Sequence, residues 1–374
     1  MSVDDQRMLD RFVRLCEIAS PTGEEREVAD AVLDELRRFA VDVNEDGSAT
    51  PARAGAGNLI ARVPGRGDRW LSFFAHLDTV PHDGPIRVAR ENGTFRSAGD
   101  TILGADDKAA VTVLIELAAR HISDPAPVGL ELVFTVAEED GLRGAKEIDI
   151  SSLRAPFGFV LDHATPIGEV IVAAPTYKRL VAEFTGREAH AGINPEEGHS
   201  AIAAAAAAIG EMKLGRLDEE TTANIGVIEG GTASNVVPGH CCILGEARSV
   251  DGERAAATIG EMVDACTWGA SQQGCDVEAQ VSEMFRGYRL DAKSPVVGLA
   301  SGALRATGHE AALVATGAGS DANALRASGY EAVLLANGTE ANHTPHEVVT
   351  EGTIVEMLRV CEAAIDRAAD AEAA

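Results

Sequence analysis

The sequence predicts an α/β fold of two domains, with a mostly parallel sheet in the first domain and an α+β layer inserted into it. The chain has 374 residues, more than one compact domain usually holds. Strands and helices alternate in the first and last parts of the chain, which is typical of a parallel sheet covered by helices. The middle part instead has four strands and two helices with long connections. We therefore expect the first domain at 1–175 and 291–374, and the inserted domain at 176–290.

The first part of the chain begins with two predicted helices. Apolar residues recur at helical spacing over 4–18 and 24–39, and a Ser-Pro-Thr-Gly sequence separates the two stretches. The stretch 76–100 is rich in turn-forming residues and is expected to be mostly loop. The remaining elements of this part are strands at 58–63, 70–75, 129–136 and 157–161, and a helix at 109–120.

The inserted domain has longer strands. The alanine run at 203–208 fits a helix of small residues that packs closely on a sheet. The strands are expected at 179–184, 222–228, 242–248 and 277–285, and the helices at 200–212 and 253–272. After the insertion, the strand and helix alternation resumes, with helices at 294–307, 321–328 and 350–369 and strands at 311–315 and 332–336.

The charge balance of the chain excludes some classes of partner. Lys and Arg total 32 against 59 for Asp and Glu, so the formal net charge is −27. Such a surface repels nucleic-acid phosphates and anionic lipids, so we expect no nucleic-acid partner and no membrane partner. Only five basic residues are lysines. Two explanations stay open for this acidity: an acidic proteome adapted to high salt, or an ordinary acidic protein from a GC-rich genome.

The cellular compartment is predicted from three features. No stretch supplies the roughly 20 apolar residues that a membrane span needs. Residues 1–10 carry acids and lack the apolar core of a secretory signal. The six cysteines are sparse and form no Cys-x-x-Cys pair, as in a protein with reduced thiols. We therefore expect a cytoplasmic protein.

Five groups of acidic or imidazole side chains follow strand-like segments. Taken singly, each has an ordinary explanation, because an acidic pair at a helix start is favoured by the helix dipole and adjacent glutamates often lie in a solvated turn. Together, carboxylates at strand ends repel one another unless a cation neutralises them. Two histidines and three carboxylates suit two ions such as Zn²⁺, Co²⁺ or Mn²⁺, and an extra glutamate can accept a proton from water. The groups are His76 with Asp78, Asp106 with Asp107, Glu138 with Glu139, Asp162, and His343 with His346 and Glu347.

These groups occur in an order that resembles the M20 family of co-catalytic metallopeptidases. The motifs are HLDTVP at 76–81, GADDK at 104–108, EEDGLRGAK at 138–146 and NHTPHE at 342–347. The second and third motifs are most similar to the peptidase T-like branch. The resemblance covers nearly the whole chain and implies a zinc-exopeptidase-like catalytic domain with an inserted lid and dimerisation domain.

The resemblance also implies a ligand set for two divalent ions, zinc first, with cobalt or manganese as alternatives. His76 would bind one ion and His343 the other. His343 is chosen over His346 because the family's histidine ligand precedes a glutamate by four residues, as His343 precedes Glu347. Asp106 would bridge both ions, with a cis peptide after it. Glu139 and Asp162 would be the terminal carboxylates, one for each ion.

Two further residues of this domain receive roles from the resemblance. Glu138 would be the general base, which takes a proton from the bridging water and passes it to the leaving amine. Asp78 would orient His76. Asp140 departs from the family pattern, in which an apolar residue is usual at that position.

The inserted domain contributes three more candidates. Residues 188–198 resemble a lid segment whose histidine reaches the partner subunit's active site. The resemblance therefore implies a homodimer in which His190 of one subunit would polarise the scissile carbonyl of a substrate bound to the other. Asn235 and Arg248 resemble positions that hold the substrate's backbone and terminal carboxylate. Asn235 could instead cap a turn, and Arg248 could pair with surface acids. Residues 319–323 resemble a family loop near the metals, with no role assigned.

The function expected from the resemblance is metal-dependent hydrolysis of an amide bond in a small peptide with a free N-terminus, as by an aminopeptidase or tripeptidase. The first alternative is deacylation of an N-acyl amino acid at the same site. A second is a non-catalytic metal- or peptide-binding protein, in which Glu138 would have no purpose. A third is an aminopeptidase of a neighbouring co-catalytic family, against which the His190 segment argues.

Overall fold

A computed structural model describes residues 3–369, which form two compact units. Among the described residues, the first unit comprises 3–172, 290–315 and 320–369, and the second comprises 173–289 and 316–319. The first domain expected from the sequence also took in residues 1–2 and 370–374, which lie outside the described part. No helix within 3–369 combines the length and the apolar content that crossing a membrane requires.

Within residues 3–174, the described part of the chain forms four α-helices and eight strands. The helices are α1 (Val3–Cys16), α2 (Arg26–Arg38), α3 (Ala105–Ser123) and α4 (Arg143–Lys146). The strands are β1 (Asp42–Glu45), β2 (Leu59–Val63), β3 (Trp70–His76), β4 (Val88–Glu91), β5 (Thr94–Ser97), β6 (Gly129–Thr135), β7 (Phe157–His163) and β8 (Glu169–Ala174).

The second unit contains the inserted elements. They are β9 (Thr176–Thr185), β10 (Ala189–His190), α5 (Ala201–Glu211), β11 (Gly215–Arg216), β12 (Thr221–Gly230), β13 (Val236–Val237), β14 (His240–Ser249), α6 (Gly252–Gln273), β15 (Asp276–Phe285) and β16 (Tyr288–Arg289). The last part of the chain adds α7 (Pro295–Ala306), β17 (Ala312–Ala315), α8 (Asp321–Ala327), β18 (Glu331–Ala336), β19 (Val348–Thr350) and α9 (Glu351–Ala368).

The large sheet of the first unit is parallel at its centre. Strands β6, β3, β7 and β18 lie side by side and run parallel. Antiparallel strands flank them, with β2 and then β1 on one side and β8 on the other. The expected mostly parallel sheet is thus confirmed for the central strands. Two of these, β3 and β6, are almost wholly buried.

The sequence analysis missed several strands of the first part. The stretch expected to be mostly loop contains β4 and β5, which pair with each other, and β5 also pairs with β19. That expectation was wrong because β4 (VARE) and β5 (TFRS) are four residues long and half polar, with no apolar alternation to mark them. Strands β1 and β8 were also missed.

Helix α3 begins four residues earlier than expected and has an irregular first turn. Asp106 (φ −80°, ψ 106°) and Asp107 (φ −114°, ψ 32°) depart from helical geometry. The peptide bond between them is cis, as the resemblance implied. Beyond this turn, the helix is buried along residues 108–118 and packs on α1 and the central sheet.

The second unit has the four expected strands, β9, β12, β14 and β15, and the two expected helices, α5 and α6. Its sheet is antiparallel in the order β11-β12-β14-β9-β15, and α5 and α6 cover one face. Four alanines of α5 are buried in the core that the helix forms with the sheet, namely Ala201, Ala204, Ala205 and Ala208. Close approach of the two helices depends on Gly269, where a Cβ would lie 2.5 Å from the Ala204 carbonyl oxygen.

Candidate metal centre

The acidic and imidazole residues of the first unit converge at the carboxyl ends of the parallel strands. These ends meet along one edge of a parallel sheet, where ligands usually bind. His76 is the last residue of β3, in register with Thr135 at the end of β6. Asp162 lies near the end of β7, and Asp106 lies in the first turn of α3. The glutamate pair follows β6, and His343 follows β18.

Two groups of possible metal ligands share one carboxylate, that of Asp106. In the first group, His76 Nε2 lies 3.2 Å from Asp106 Oδ1 and 3.7 Å from Asp162 Oδ1. In the second group, His343 Nε2 lies 3.0 Å from Asp106 Oδ2 and 3.0 Å from Glu139 Oε1. Within each group, the ligand atoms all lie within 4.8 Å of one another. The two oxygens of Asp106 thus face different histidines, as a carboxylate shared by two ions would.

The surrounding carboxylates shift the titration of both histidines. Burial lowers the pKa of His76, but its hydrogen bonds with Asp106 and Asp162 outweigh burial and raise the pKa well above the ordinary value. The hydrogen bonds of Asp106 and Glu139 raise the pKa of His343 to about 10. Burial opposes ionisation of Asp106, yet the two histidines hold the pKa of this carboxyl far below its ordinary range. The carboxylates of the site therefore stabilise a positive charge placed between them, here that of the protonated histidines.

The other carboxyls of the site are forced together in a buried space. Burial, helped by the charge of Asp106, raises the pKa of Asp162 to about 8. Burial and then the charge of Asp162 raise the pKa of Glu138 well above its ordinary value. Divalent cations would relieve this repulsion, and imidazole nitrogens with carboxylate oxygens are ligands that Zn²⁺, Co²⁺ and Mn²⁺ accept. The donor set therefore fits two divalent ions.

Asp78 connects the first histidine with the glutamate pair. It is fully buried, and its oxygens accept hydrogen bonds from the backbone N–H groups of Glu138 at 3.0 Å and Glu139 at 3.2 Å. The Thr22 hydroxyl donates to it at 2.7 Å. The nearest acceptor of His76 Nδ1 is the main-chain oxygen of Asp78 at 3.0 Å, and the carboxylate Oδ1 lies at 3.5 Å. Asp78 thus contacts the imidazole through both its main chain and its side chain.

The structure places His190 next to Asn235 in the second unit. Strand β10 pairs with β13, so His190 lies opposite Val236. The Ala191 N–H donates to the main-chain oxygen of Asn235 at 2.9 Å. His190 is exposed, and its Nδ1 accepts a hydrogen bond from the Gly192 N–H at 3.1 Å. With Nδ1 an acceptor, the neutral ring carries its proton on Nε2 and can donate from there.

Arg248 is bonded to an acid of its own strand. Its Nε and Nη2 donate to the two carboxylate oxygens of Glu246 at 3.0 and 3.1 Å. Its Nη1 donates to the Gly317 oxygen at 3.2 Å, and the guanidinium lies 4.4 Å from the Tyr177 ring centroid. The pairing with an acid that was weighed against a substrate role is therefore present.

Two family profiles match parts of the chain. The one described as Peptidase dimerisation domain matches residues 175–273, in the inserted unit. The one described as Peptidase family M28 matches residues 58–163, which hold four of the candidate ligands and the glutamate beside them. The two profiles thus cover different parts of the molecule, and relatives that span the whole chain decide between the families.

Three relatives match this chain over nearly its whole length. The uncharacterised protein YqjE of Bacillus subtilis is 38% identical over 369 residues, covering 98% of this chain and 100% of that protein. The crystal structure of aminopeptidase PepT from Bacillus cereus is 36% identical with a TM-score of 0.84, covering 97% of this chain and 98% of that one. A Staphylococcus aureus tripeptidase structure is 34% identical with a TM-score of 0.90, covering 98% of this chain and 99% of that one. The chain belongs to the M20 peptidase family.

This M20 peptidase is of the PepT-like type. Membership confirms an enzyme that hydrolyses peptide bonds, rather than a binding protein without catalysis, and it implies divalent-metal binding. The neighbouring-family alternative is not favoured, because the M28 profile covers a shorter part of the chain than the PepT-like structures do.

Sequence reasoning gave no role to two polar residues that brace the site of this M20 peptidase. The Asn58 side chain accepts the Val136 N–H at 3.2 Å and donates to the Gly144 oxygen at 2.9 Å, which fixes both ends of the turn holding the glutamate pair. Lys108 is fully buried and donates to the Leu77 oxygen at 2.6 Å, next to Asp78. The sequence placed Lys108 in the GADDK motif but predicted no role for its side chain.

A third buried residue is Asp321, the first residue of α8, which begins within the 319–323 segment. The Thr135 hydroxyl donates to one oxygen of Asp321, and the other oxygen has no hydrogen-bond partner among the described residues. Burial raises the pKa of Asp321 to about 6. Its charge also contributes to raising the pKa of Glu138, and its partner Thr135 is in register with His76, so this segment lies near the candidate centre. His346, by contrast, is exposed and belongs to neither ligand group.

Proposed function

We propose that this M20 peptidase removes the N-terminal residue of small peptides, tripeptides in particular, with two divalent ions. The observation that carries the proposal is the pair of ligand groups that share Asp106, with Glu138 beside them. The aminopeptidase and tripeptidase relatives support the peptide substrate. Zinc is the first candidate for the metal, and cobalt and manganese accept the same donors.

The ligand roles follow the two groups. His76 and Asp162 would hold one ion, and His343 and Glu139 would hold the other, with one Asp106 oxygen for each. When bound, the two ions would polarise the scissile carbonyl and lower the pKa of a water molecule. Asp78 would fix the His76 ring through Nδ1 and so present Nε2 to the centre.

Glu138 is proposed as the general base. It is 8% exposed and belongs to neither ligand group, so its carboxylate is free to accept a proton from the attacking water. The same carboxyl would then donate that proton to the leaving amine nitrogen. Burial raises the pKa of Glu138 above its ordinary value, which makes this carboxylate a stronger proton acceptor.

The inserted unit would complete the site from a second subunit. His190 Nε2–H would donate a hydrogen bond to the developing oxyanion, and Asn235 would hold the substrate backbone. Arg248 would bind the substrate's terminal carboxylate after exchanging its bonds to Glu246. We further propose a cytoplasmic location, which the six free cysteines support.

A homodimer through the inserted unit is part of this proposal. Within 3–369, β12 pairs with β14 along one side but only with the two residues of β11 on the other. Val227 and Ile228 on this strand are 39% and 49% exposed, and Ile202 on α5 is 38% exposed. An open strand edge with apolar side chains favours pairing with a second copy. The dimerisation profile matches the same unit.

A substrate panel tests the choice between peptidase and deacylase. The metal-loaded enzyme is assayed on tripeptides with a free N-terminus, on the same tripeptides N-acetylated, and on N-acetyl and N-succinyl amino acids. We expect release of the N-terminal residue from the free tripeptides only. Turnover confined to the acyl amino acids would move the enzyme to the deacylase alternative, which uses the same site.

A further inference from the structure

Glu347 is a buried carboxylate outside both ligand groups. It is 1% exposed, although it lies in a connection between β18 and β19. One oxygen accepts hydrogen bonds from the backbone N–H groups of Leu103 and Gly104, both at 2.8 Å. The other oxygen accepts the N–H of Asp106 at 2.9 Å. The three donors all lie within the four residues 103–106 at the entry to α3, so one side chain fixes the backbone that leads into the shared ligand.

The same short turn carries His343. The Glu347 N–H donates to the Thr344 oxygen at 3.1 Å, and the Thr344 hydroxyl donates to the Ala341 oxygen at 2.7 Å. His343 thus lies in a compact turn whose end is bonded to the backbone of Asp106. The two segments are more than 230 residues apart in the chain, yet His343 Nε2 and Asp106 Oδ2 lie 3.0 Å apart.

We propose that Glu347 is a positioning residue. It holds Asp106 and His343 in place for the ion that both would bind, before any ion is present. This inference rests on the proposed ligand roles of these two residues. Preorganised ligands bind metal more tightly, because ordering them costs nothing further when the ion arrives.

The chemistry of the three bonds requires a carboxylate. Both of its oxygens accept, and charge-assisted bonds from backbone N–H groups stabilise a buried anion. A glutamine has one accepting oxygen, and its NH₂ group would face at least one backbone N–H, donor against donor. Glu347→Gln therefore keeps size and shape while it breaks the grip on Leu103 and Gly104 or on Asp106.

Metal binding by the metal-free protein tests this proposal. Zn²⁺ is titrated calorimetrically into the wild type, Glu347→Gln and the control Glu340→Gln, whose exposed side chain lies in the same connection. We expect about 10–100-fold weaker binding of at least one ion in Glu347→Gln, the usual effect of losing a partner of a metal ligand. Glu340→Gln should match the wild type. Unfolding temperatures with and without Zn²⁺ separate positioning from general stability, since positioning predicts a smaller Zn²⁺-induced rise in Glu347→Gln.

The outcomes are distinct. Two ions bound by Glu347→Gln with wild-type affinity would overturn the positioning role, whatever happens to its metal-free stability. If that variant does not fold, Glu347→Asp keeps the charge but shortens the reach, and wild-type affinity there would overturn the role equally. A wild type that does not bind two ions would instead overturn the proposed function, and this inference with it.

Discussion

At the scale of single residues, the adjacent acids Asp106 and Asp107 have opposite surroundings. Each Asp106 oxygen faces a histidine nitrogen, at 3.2 and 3.0 Å. Asp107 is fully buried and accepts the His76 N–H at 3.3 Å and the Asn337 side chain at 3.4 Å. The Asp106 carboxylate is therefore placed to bind metal. The Asp107 carboxylate instead holds the end of β3, the strand that carries His76, by a hydrogen bond to its backbone.

Replacement of the shared carboxylate should deprive at least one of the two ions of a ligand. In Asp106→Asn, one ligand oxygen becomes an NH₂ group that cannot bind a cation, so we expect Zn²⁺ affinity to fall by more than the roughly 100-fold upper range seen for lost partners of metal ligands. Metal content after dialysis measures this. Asp140→Asn, an exposed acid paired with Arg143, is the control and should retain both ions. Two ions retained by Asp106→Asn would contradict the shared-ligand assignment.

The ligand positions could be predicted because each residue type stands in a local motif at the end of a strand. The bracing residues could not, because their partners are distant in the chain. Asn58 bonds Val136, 78 residues away, and Glu347 bonds Leu103, 244 residues away. Glu347 does stand in the NHTPHE motif, but no local pattern shows the three backbone donors that the fold brings to its side chain.

At the scale of elements, the packing of α5 on α6 rests on small residues. A Cβ at Gly269 would lie 2.5 Å from the Ala204 oxygen and 2.6 Å from the Ala208 nitrogen, both backbone atoms. Gly260, on the same helix, has open space around the corresponding position. One helix thus offers a crowded glycine and a free one.

The two glycines should respond to alanine with opposite signs. We expect Gly269→Ala to lower the free energy of unfolding by about 1–3 kcal/mol, because the backbone of α5 must shift. Gly260→Ala should raise it by up to about 1 kcal/mol through helix propensity. Urea denaturation of the two variants measures both effects. Equal changes in the two would show that α5 and α6 are not in such close contact.

Helices α3 and α9 are joined by a pH-dependent pair. His121 Nε2 lies 2.8 Å from a Glu362 oxygen. Burial lowers the pKa of His121, but the bond and charge of Glu362 outweigh it and raise the pKa. A raised folded-state pKa gives stability that is fully present below the unfolded value of about 6.5 and is lost as pH rises through the folded value.

The pair should therefore stabilise the protein more at low pH. We expect His121→Gln to lower the free energy of unfolding by up to about 1 kcal/mol at pH 6, and by less at pH 9. Urea denaturation at the two pH values, for the wild type and the variant, gives the comparison. A difference between the two proteins that is independent of pH would exclude a charged His121.

The elements predicted correctly are those with strong apolar patterns. The buried strands β3 and β6 and the long helices of the second unit were found within a few residues. The small sheet of β4, β5 and β19 was not, because its strands are three or four residues long and are fixed by pairing rather than by their own composition.

At the scale of the whole molecule, the net charge of −27 opposes compactness. Salt shortens the reach of this repulsion, from about 10 Å at 0.1 M to about 3 Å at 1 M. We expect the unfolding temperature to rise with KCl over this range, as measured by thermal melts. A rise that continues above 1 M favours adaptation to high salt, and a plateau favours an ordinary acidic protein. A fall in unfolding temperature over the lower range would show that favourable ion pairs outweigh the repulsion.

The family could be predicted from the ordered motifs, and the full-length relatives confirm it. The substrate is less accessible to such reasoning. In the proposed function it depends on side chains such as Arg248, and a substrate carboxylate would have to compete there with Glu246, two residues away on the same strand.

The proposed enzyme is a peptidase that binds two ions through the shared ligand Asp106 and uses Glu138 as its general base. The most direct test measures metal content and tripeptide turnover on the same samples of wild type and Glu138→Gln, reconstituted with Zn²⁺, Co²⁺ or Mn²⁺. We expect about two ions per chain in both proteins, and a turnover rate about 10²–10⁴-fold lower in the variant. A wild type without bound metal that still cleaves tripeptides, or a variant with wild-type turnover, would contradict it.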